Sequence, residues 1–195
     1  MANKSKSSVS HILFLVSGVI LLIYYLLSQG MPSVGGDLLS LMKFIVELFT
    51  LVLLIGFYFF FLFEGKNCAG VAKSIAPSLL ILIVVGAYSM NFGSAEANAI
   101  ISGIATMCYL LIIVTGFVFL FIHNKLIGLV FSFSSVIYAA FVTLSYVIVL
   151  IISLVNGGSF SLAKLFETLC YVVALGLLFV GGYQLTKNKD WSLQR

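Results

Sequence analysis

From Leu126 to Val155 no charged residue interrupts the chain. A stretch this apolar cannot leave its backbone N–H and C=O groups unpaired in hydrocarbon, and an α-helix pairs them within a single segment. Roughly 20 apolar residues reach across a bilayer. Comparable runs occupy His11–Gln29, Leu39–Phe63, Ile75–Met90, Ala97–Ile122 and Leu162–Thr186. The chain is 62% hydrophobic and 8% charged, where soluble domains carry about 25% charged residues, and 195 residues cannot bury that much apolar surface in a core of their own. The expected fold is an all-α integral membrane protein. It has six transmembrane helices at about 11–29, 39–63, 75–90, 97–122, 126–155 and 162–186, packed as three helical hairpins in one bundle. The short alternating strands of a membrane β-barrel are absent from the sequence.

The charges between the runs orient this layout. Lys4, Lys6, Lys66, Lys73, Lys125, Lys187, Lys189 and Arg195 fall on one side if the N-terminus is inside, and only Lys43 and Lys164 fall near the other. Positive residues stay on the cytoplasmic face. Residues 1–10 and 187–195 are therefore expected to be cytoplasmic ends of a multi-pass protein of a bacterial plasma membrane. His11–Gln29 is longer than the apolar core of a signal peptide, so it is expected to remain as a membrane helix. The partner implied is the lipid bilayer, with a second membrane protein or further copies of the chain as additional partners. No basic cluster is long enough for nucleic acid.

The predicted hairpins share turn chemistry. Their turns read Ser28-Gln29-Gly30, Asn91-Phe92-Gly93-Ser94 and Asn156-Gly157-Gly158-Ser159. Gly or Asn just past a helix end supplies the left-handed conformation that closes it. Pro77 falls in the first turn of the third run, where a missing N–H does no harm.

The rare charges inside the runs carry the functional question. The second run opens with Lys43 and Glu47, the sixth with Lys164 and Glu167. Spacings of three and four place each pair on one helix face. In one reading the carboxylates complement the helix start and the lysines snorkel to water. In the other, depth matters. Glu47 lies roughly 12 Å along its helix from Leu39, and an ionised group at bilayer depth costs about 2.5–3.5 kcal/mol unless paired or facing a cavity. Glu47, Lys43, Glu167 and Lys164 are then candidates for a solute or ion path, lining one vestibule if the second and sixth helices adjoin. On the fifth run Ser135, Ala139 and Thr143 recur at spacing four, beside Gly128 and Ser132. Such small-residue stripes let membrane helices approach closely and are candidates for helix packing.

No catalytic residue, metal site or cofactor is expected. Cys68, Cys108 and Cys170 form no CxxC pair and have no histidine at ligand spacing, which suggests buried reduced thiols. His11 and His123 stand at helix ends. No GxSxG, HExxH or Walker motif occurs. An enzyme is the class least supported. In outline, with six helices and both ends inside, the chain resembles the substrate-binding membrane subunits of energy-coupling-factor vitamin transporters. It is similar in the same way to small hairpin-repeat membrane proteins linked to acid resistance. The first resemblance would imply solute binding, although the first helix reads Ser17-Gly18-Val19-Ile20-Leu21-Leu22 without the AxxxA packing motif of that family. Two functions are carried forward. One is solute or ion transport or membrane solute binding. The other is a non-catalytic membrane subunit or regulator that acts by helix packing with a partner.

Overall fold

The computed structural model describes residues 4–29, 36, 38–63, 73–89, 96–122 and 124–187. Within these, the side chains of 4–8, 29, 39, 43, 47, 50, 54, 57–63, 86–89 and 96–102 lie outside the description. Every described element is helical. The helices are α1 (Lys4–Gln29), α2 (Leu38–Phe63), α3 (Ala76–Ser89), α4 (Glu96–Phe121), α5 (Lys125–Val155) and α6 (Leu162–Lys187). Four are long and apolar enough to cross a membrane: Val9–Ser28 within α1, Gly103–Phe121 within α4, and all of α5 and α6. A shorter apolar stretch covers Ala76–Val85. Helix α1 starts at Lys4, upstream of the apolar run that opens at His11. Once the apolar segment has nucleated a helix, each residue added upstream gains a hydrogen bond at little cost.

The helix ends show why the runs stop where they do. Asn124 caps α5 in extended conformation and its side chain accepts from the Leu126 N–H at 2.9 Å. Ser161 does the same for α6, its hydroxyl accepting from the Lys164 N–H at 3.4 Å. At the far end of α5 the Gly157 N–H donates to the Leu154 carbonyl and the Gly158 N–H to the Ser153 carbonyl, at 3.1 and 2.8 Å. Gly157 sits at φ +76°, the left-handed residue that this double closure requires. The turn predicted from Asn156-Gly157-Gly158 thus has a specific backbone job.

Side-chain contacts fix the order and direction of the helices. Helix α1 runs against α6, with Phe14 beside Gly181, the Ser17 hydroxyl donating to the Ala174 carbonyl at 2.9 Å, and Tyr24 on Tyr171. Helix α6 runs against α5, pairing Gly182 with Ser132 and Tyr171 with Tyr138. Helix α5 runs against α4 through Phe131–Phe119 and Tyr138–Tyr109. Helix α4 runs against α3, where Gly116 meets Leu79 and the Tyr109 hydroxyl donates to the Leu82 carbonyl. The circuit closes where the Ser78 hydroxyl of α3 donates to the Phe14 carbonyl of α1 at 3.3 Å. Helices α1, α3 and α5 therefore point one way, α4 and α6 the other. The buried core lies inside this five-helix ring. Among the described residues helix α2 makes its main contacts with α3 and α1, outside this ring, and presents Met42, Phe49 and Val52 to the surroundings. The strongest pairing in the molecule is thus between its first and last helices rather than within the first hairpin.

The two ends of the ring are built differently. At one end Phe14, Phe119 and Phe131 are fully buried, with the rings of Phe119 and Phe131 stacked at 6.1 Å. Glycines make room for these rings. A Cβ at Gly181 would lie 2.7 Å from the Phe14 ring, and one at Gly116 would lie 2.6 Å from Leu79. A Cβ at Gly128 would press on Thr186 and Phe119. Gly176, on the same helix as Gly181, has nothing within 4 Å of its would-be Cβ. Gly181→Leu is therefore expected to destabilise the bundle by about 1–3 kcal/mol through overpacking. Gly176→Ala is expected to be neutral or to gain up to about 1 kcal/mol of helix propensity. Reversible unfolding in mixed micelles compares the two, and equal losses would contradict the packing described.

Candidate functional site

The other end of the ring is polar and aromatic. Tyr24 of α1, Tyr171 of α6, Tyr138 of α5 and Tyr109 of α4 meet there, one from each helix. Ring centroids are 4.6 Å apart for Tyr24–Tyr171, 6.1 Å for Tyr171–Tyr138 and 5.8 Å for Tyr138–Tyr109. The last two pairs are tilted or edge-on, the arrangements the ring quadrupoles favour. The hydroxyls of Tyr138 and Tyr171 lie close enough to pair, and Cys108 of α4 sits beside Tyr138. Tyr109 ends the series by donating to the Leu82 carbonyl of α3 at 2.6 Å. All five ring helices thus contribute to one layer.

Glu167 stands over this layer. On α6 the residues Tyr171, Ala174, Leu178, Gly181 and Leu185 are buried at spacings of three and four. Glu167 is the next position outward on that same stripe, four residues before Tyr171. That position lies on the inward stripe of α6, within electrostatic range of the Tyr24 hydroxyl. It is half-buried, about 7 Å along the axis from Leu162. Among the described residues no lysine or histidine forms a salt bridge with it. Lys164 is exposed one turn nearer the helix start, where its main-chain carbonyl accepts from the Thr168 hydroxyl at 2.8 Å. The end of the ring that carries Glu167 is called the mouth below.

The remaining sequence candidates fall elsewhere. Lys43 and Glu47 lie on α2, and their side chains are outside the described residues. Among the described residues α2 makes its main contacts with α3 and α1. Ser135 and Ala139 are buried on the inward face of α5, and Thr143 is exposed beyond them. The hydroxyls of Ser132, Ser135 and Thr143 donate to the carbonyls four residues back, at 2.7, 2.9 and 2.9 Å. That satisfies them inside their own helix and leaves the stripe smooth for packing. Cys108 and Cys170 are half-buried free thiols, whereas Cys68 and His123 lie outside the described residues. His11 is buried on α1. No group of three His, Cys, Asp or Glu side chains that could hold a metal occurs among the described residues.

The tyrosine layer was missed at the sequence level because its members come from four separate runs, and each alone reads as an ordinary core or interface aromatic. A signal for Glu167 was present. Counting back by four and seven from the apolar stripe of α6 places it on the buried face rather than on a solvated one.

Tyr109→Phe keeps the ring but removes the donor to the Leu82 carbonyl, and is expected to cost about 0.5–1.5 kcal/mol in reversible unfolding. Tyr109→Leu is expected to cost more, because it also empties part of the layer. No family model matches the chain, and no curated protein or solved structure is significantly similar to it.

Proposed function

We propose that this is a small multi-pass membrane protein that binds a solute at the mouth, as the recognition step of transport or as a solute-binding component. In this reading six helices cross a bacterial plasma membrane with both ends in the cytoplasm, and the mouth faces outward. The lysine distribution supports that orientation, since α6 starts at the end poor in positive charge. No catalytic role is assigned to any residue. The observation that carries the reading is Glu167, a carboxylate on the buried stripe of an apolar helix with no cationic partner among the described residues. An ionisable group on the buried stripe of an apolar membrane helix is by default a candidate to face a pathway or cavity. Glu47 and Lys43 on α2, with Lys164 at the rim, remain candidates for the approach to it.

Purification in mild detergent followed by native mass spectrometry tests this. The expected result is a chain carrying a small-molecule mass that disappears in Glu167→Gln while the variant still inserts and stays monodisperse. A bare chain in both proteins would refute solute binding at this site.

A second reading, a non-transporting membrane subunit, draws support from α2. Among the described residues this helix makes its main contacts with α3 and α1, and Met42, Phe49 and Val52 are exposed. Ser135 and Ala139 are taken up by the core, so a partner helix would meet α2 instead. Cysteine substitutions at Met42, Phe49 and Val52 are expected, on this reading, to cross-link a stoichiometric second polypeptide in native membranes. Cross-linking of none of the three would count against it.

A further inference from the structure

The mouth has a chemistry that narrows what it can take. One carboxylate stands above a cluster of aromatic rings, with no lysine or arginine among the layer residues. The negative faces of tyrosine rings attract a cation, more so when water is excluded. An anion would meet the Glu167 carboxylate and those faces, with the exposed Lys164 one turn outward and outside the layer.

The donor set is also wrong for a hard metal ion. Calcium takes six to eight oxygens, and magnesium demands near-octahedral coordination. The layer offers one carboxylate, and the Tyr109 hydroxyl is already committed to the Leu82 carbonyl. A strongly hydrated ion would lose its water shell here without replacement. A cation whose charge is spread over apolar substituents loses little on leaving water and gains ring contacts.

Access follows from burial. Tyr171 and Tyr109 are buried, whereas Tyr24, Tyr138 and Glu167 are half-buried. The more accessible members of the cluster are therefore Tyr24, Tyr138 and Glu167, of which Tyr24 and Glu167 lie on the facing helices α1 and α6. The opposite end of the ring is filled by Phe14, Phe119 and Phe131, so entry is from the mouth.

We propose that Glu167 and the tyrosine layer beneath it bind a singly charged organic cation with apolar or aromatic substituents, and that Tyr24 and Glu167 make the first contacts. This rests on the solute-binding reading of the mouth given above.

The test uses the full chain in lipid nanodiscs and two probes of the same shape and opposite charge, tetraphenylphosphonium and tetraphenylborate, by equilibrium dialysis. Saturable binding of the cation alone is expected, weakened about tenfold or more in Glu167→Gln and kept within about threefold in Glu167→Asp. Tyr24→Phe retains the ring and is expected to bind within about twofold of the parent, whereas Tyr24→Leu is expected to lose several-fold affinity. The Phe/Leu split is a readout that a purely structural role for the hydroxyl would not produce. It also keeps the test decisive if the Gln variant fails to fold.

Equal binding of the cation by parent and Glu167→Gln, or no saturable binding, overturns the proposal. So does saturable binding of tetraphenylborate in preference to the cation. If a Glu167-dependent small-molecule mass still accompanies the chain in native mass spectrometry, the cation class falls and the solute-binding reading stands. If neither is found, both fall.

Discussion

Closure of the ring rests on the contact between α1 and α6. The Ser17 hydroxyl reaches the Ala174 carbonyl across 157 residues of chain, and Phe14 seats against Gly181 in the same interface. Remove that contact and α3, α4, α5 and α6 become an open row with their inward faces turned to lipid. It also brings Tyr24 onto Tyr171 and within range of Glu167. The mouth does not exist until the last helix has met the first. Such a distant pairing carries a large loop-closure cost, so the site belongs to the late part of folding, after the local pairs α3–α4, α4–α5 and α5–α6 have formed.

Hydrocarbon imposes the second constraint. With no water to satisfy polar groups, a buried hydroxyl is costly unless it finds a carbonyl; Ser10 is left without a partner among the described residues, and the other hydroxyls named here use two solutions. Ser132, Ser135 and Thr143 turn back onto their own helix, which costs no interhelical geometry. Ser17, Ser78 and Tyr109 instead reach a neighbouring helix and so fix the register of α1 on α6, of α3 on α1 and of α4 on α3. The difference is one of function within the fold. Back-bonded residues smooth a surface, while cross-bonded residues specify which helices adjoin and at what height.

Periodicity and capping made the helices legible in the sequence, and left their arrangement hidden. The uncharged runs, Asn124 before α5, Ser161 before α6 and Gly157 after α5 are local signals, and a helix is a local object. The ring is not local. Read along the chain, the Lys–Glu pairs of α2 and α6 looked equivalent. In the fold α6 forms part of the ring wall, whereas α2 makes its main contacts with α3 and α1 among the described residues. The stripe of Ser135 and Ala139 was visible as small residues at a fixed spacing, but the sequence could not say whether a neighbour within the chain or a separate partner would cover it. The tyrosines illustrate the same limit. Tyr24 follows another apolar run from Tyr109, and only three-dimensional proximity makes the set a layer.

The contrast between the two ends bears on what the mouth can lead to. A solute that reached the tyrosine layer would find the remaining length of the ring occupied by Phe14, Phe119 and Phe131, each packed against a glycine or an opposing ring. Glycine contacts allow close approach but offer no slack, because a ring that already touches the facing backbone cannot yield without separating the helices. Passage through the interior therefore requires relative motion of whole helices, with α1 moving against α6 as the step that opens the Phe14–Gly181 seat. The same interface carries Tyr24 and Glu167 at its other end. On the solute-binding reading, occupation of the mouth and opening of the Phe14–Gly181 seat would act on one helix pair, and a ligand that favours a different spacing of α1 and α6 would bias both ends at once. A ligand indifferent to that spacing would be bound and held without passage.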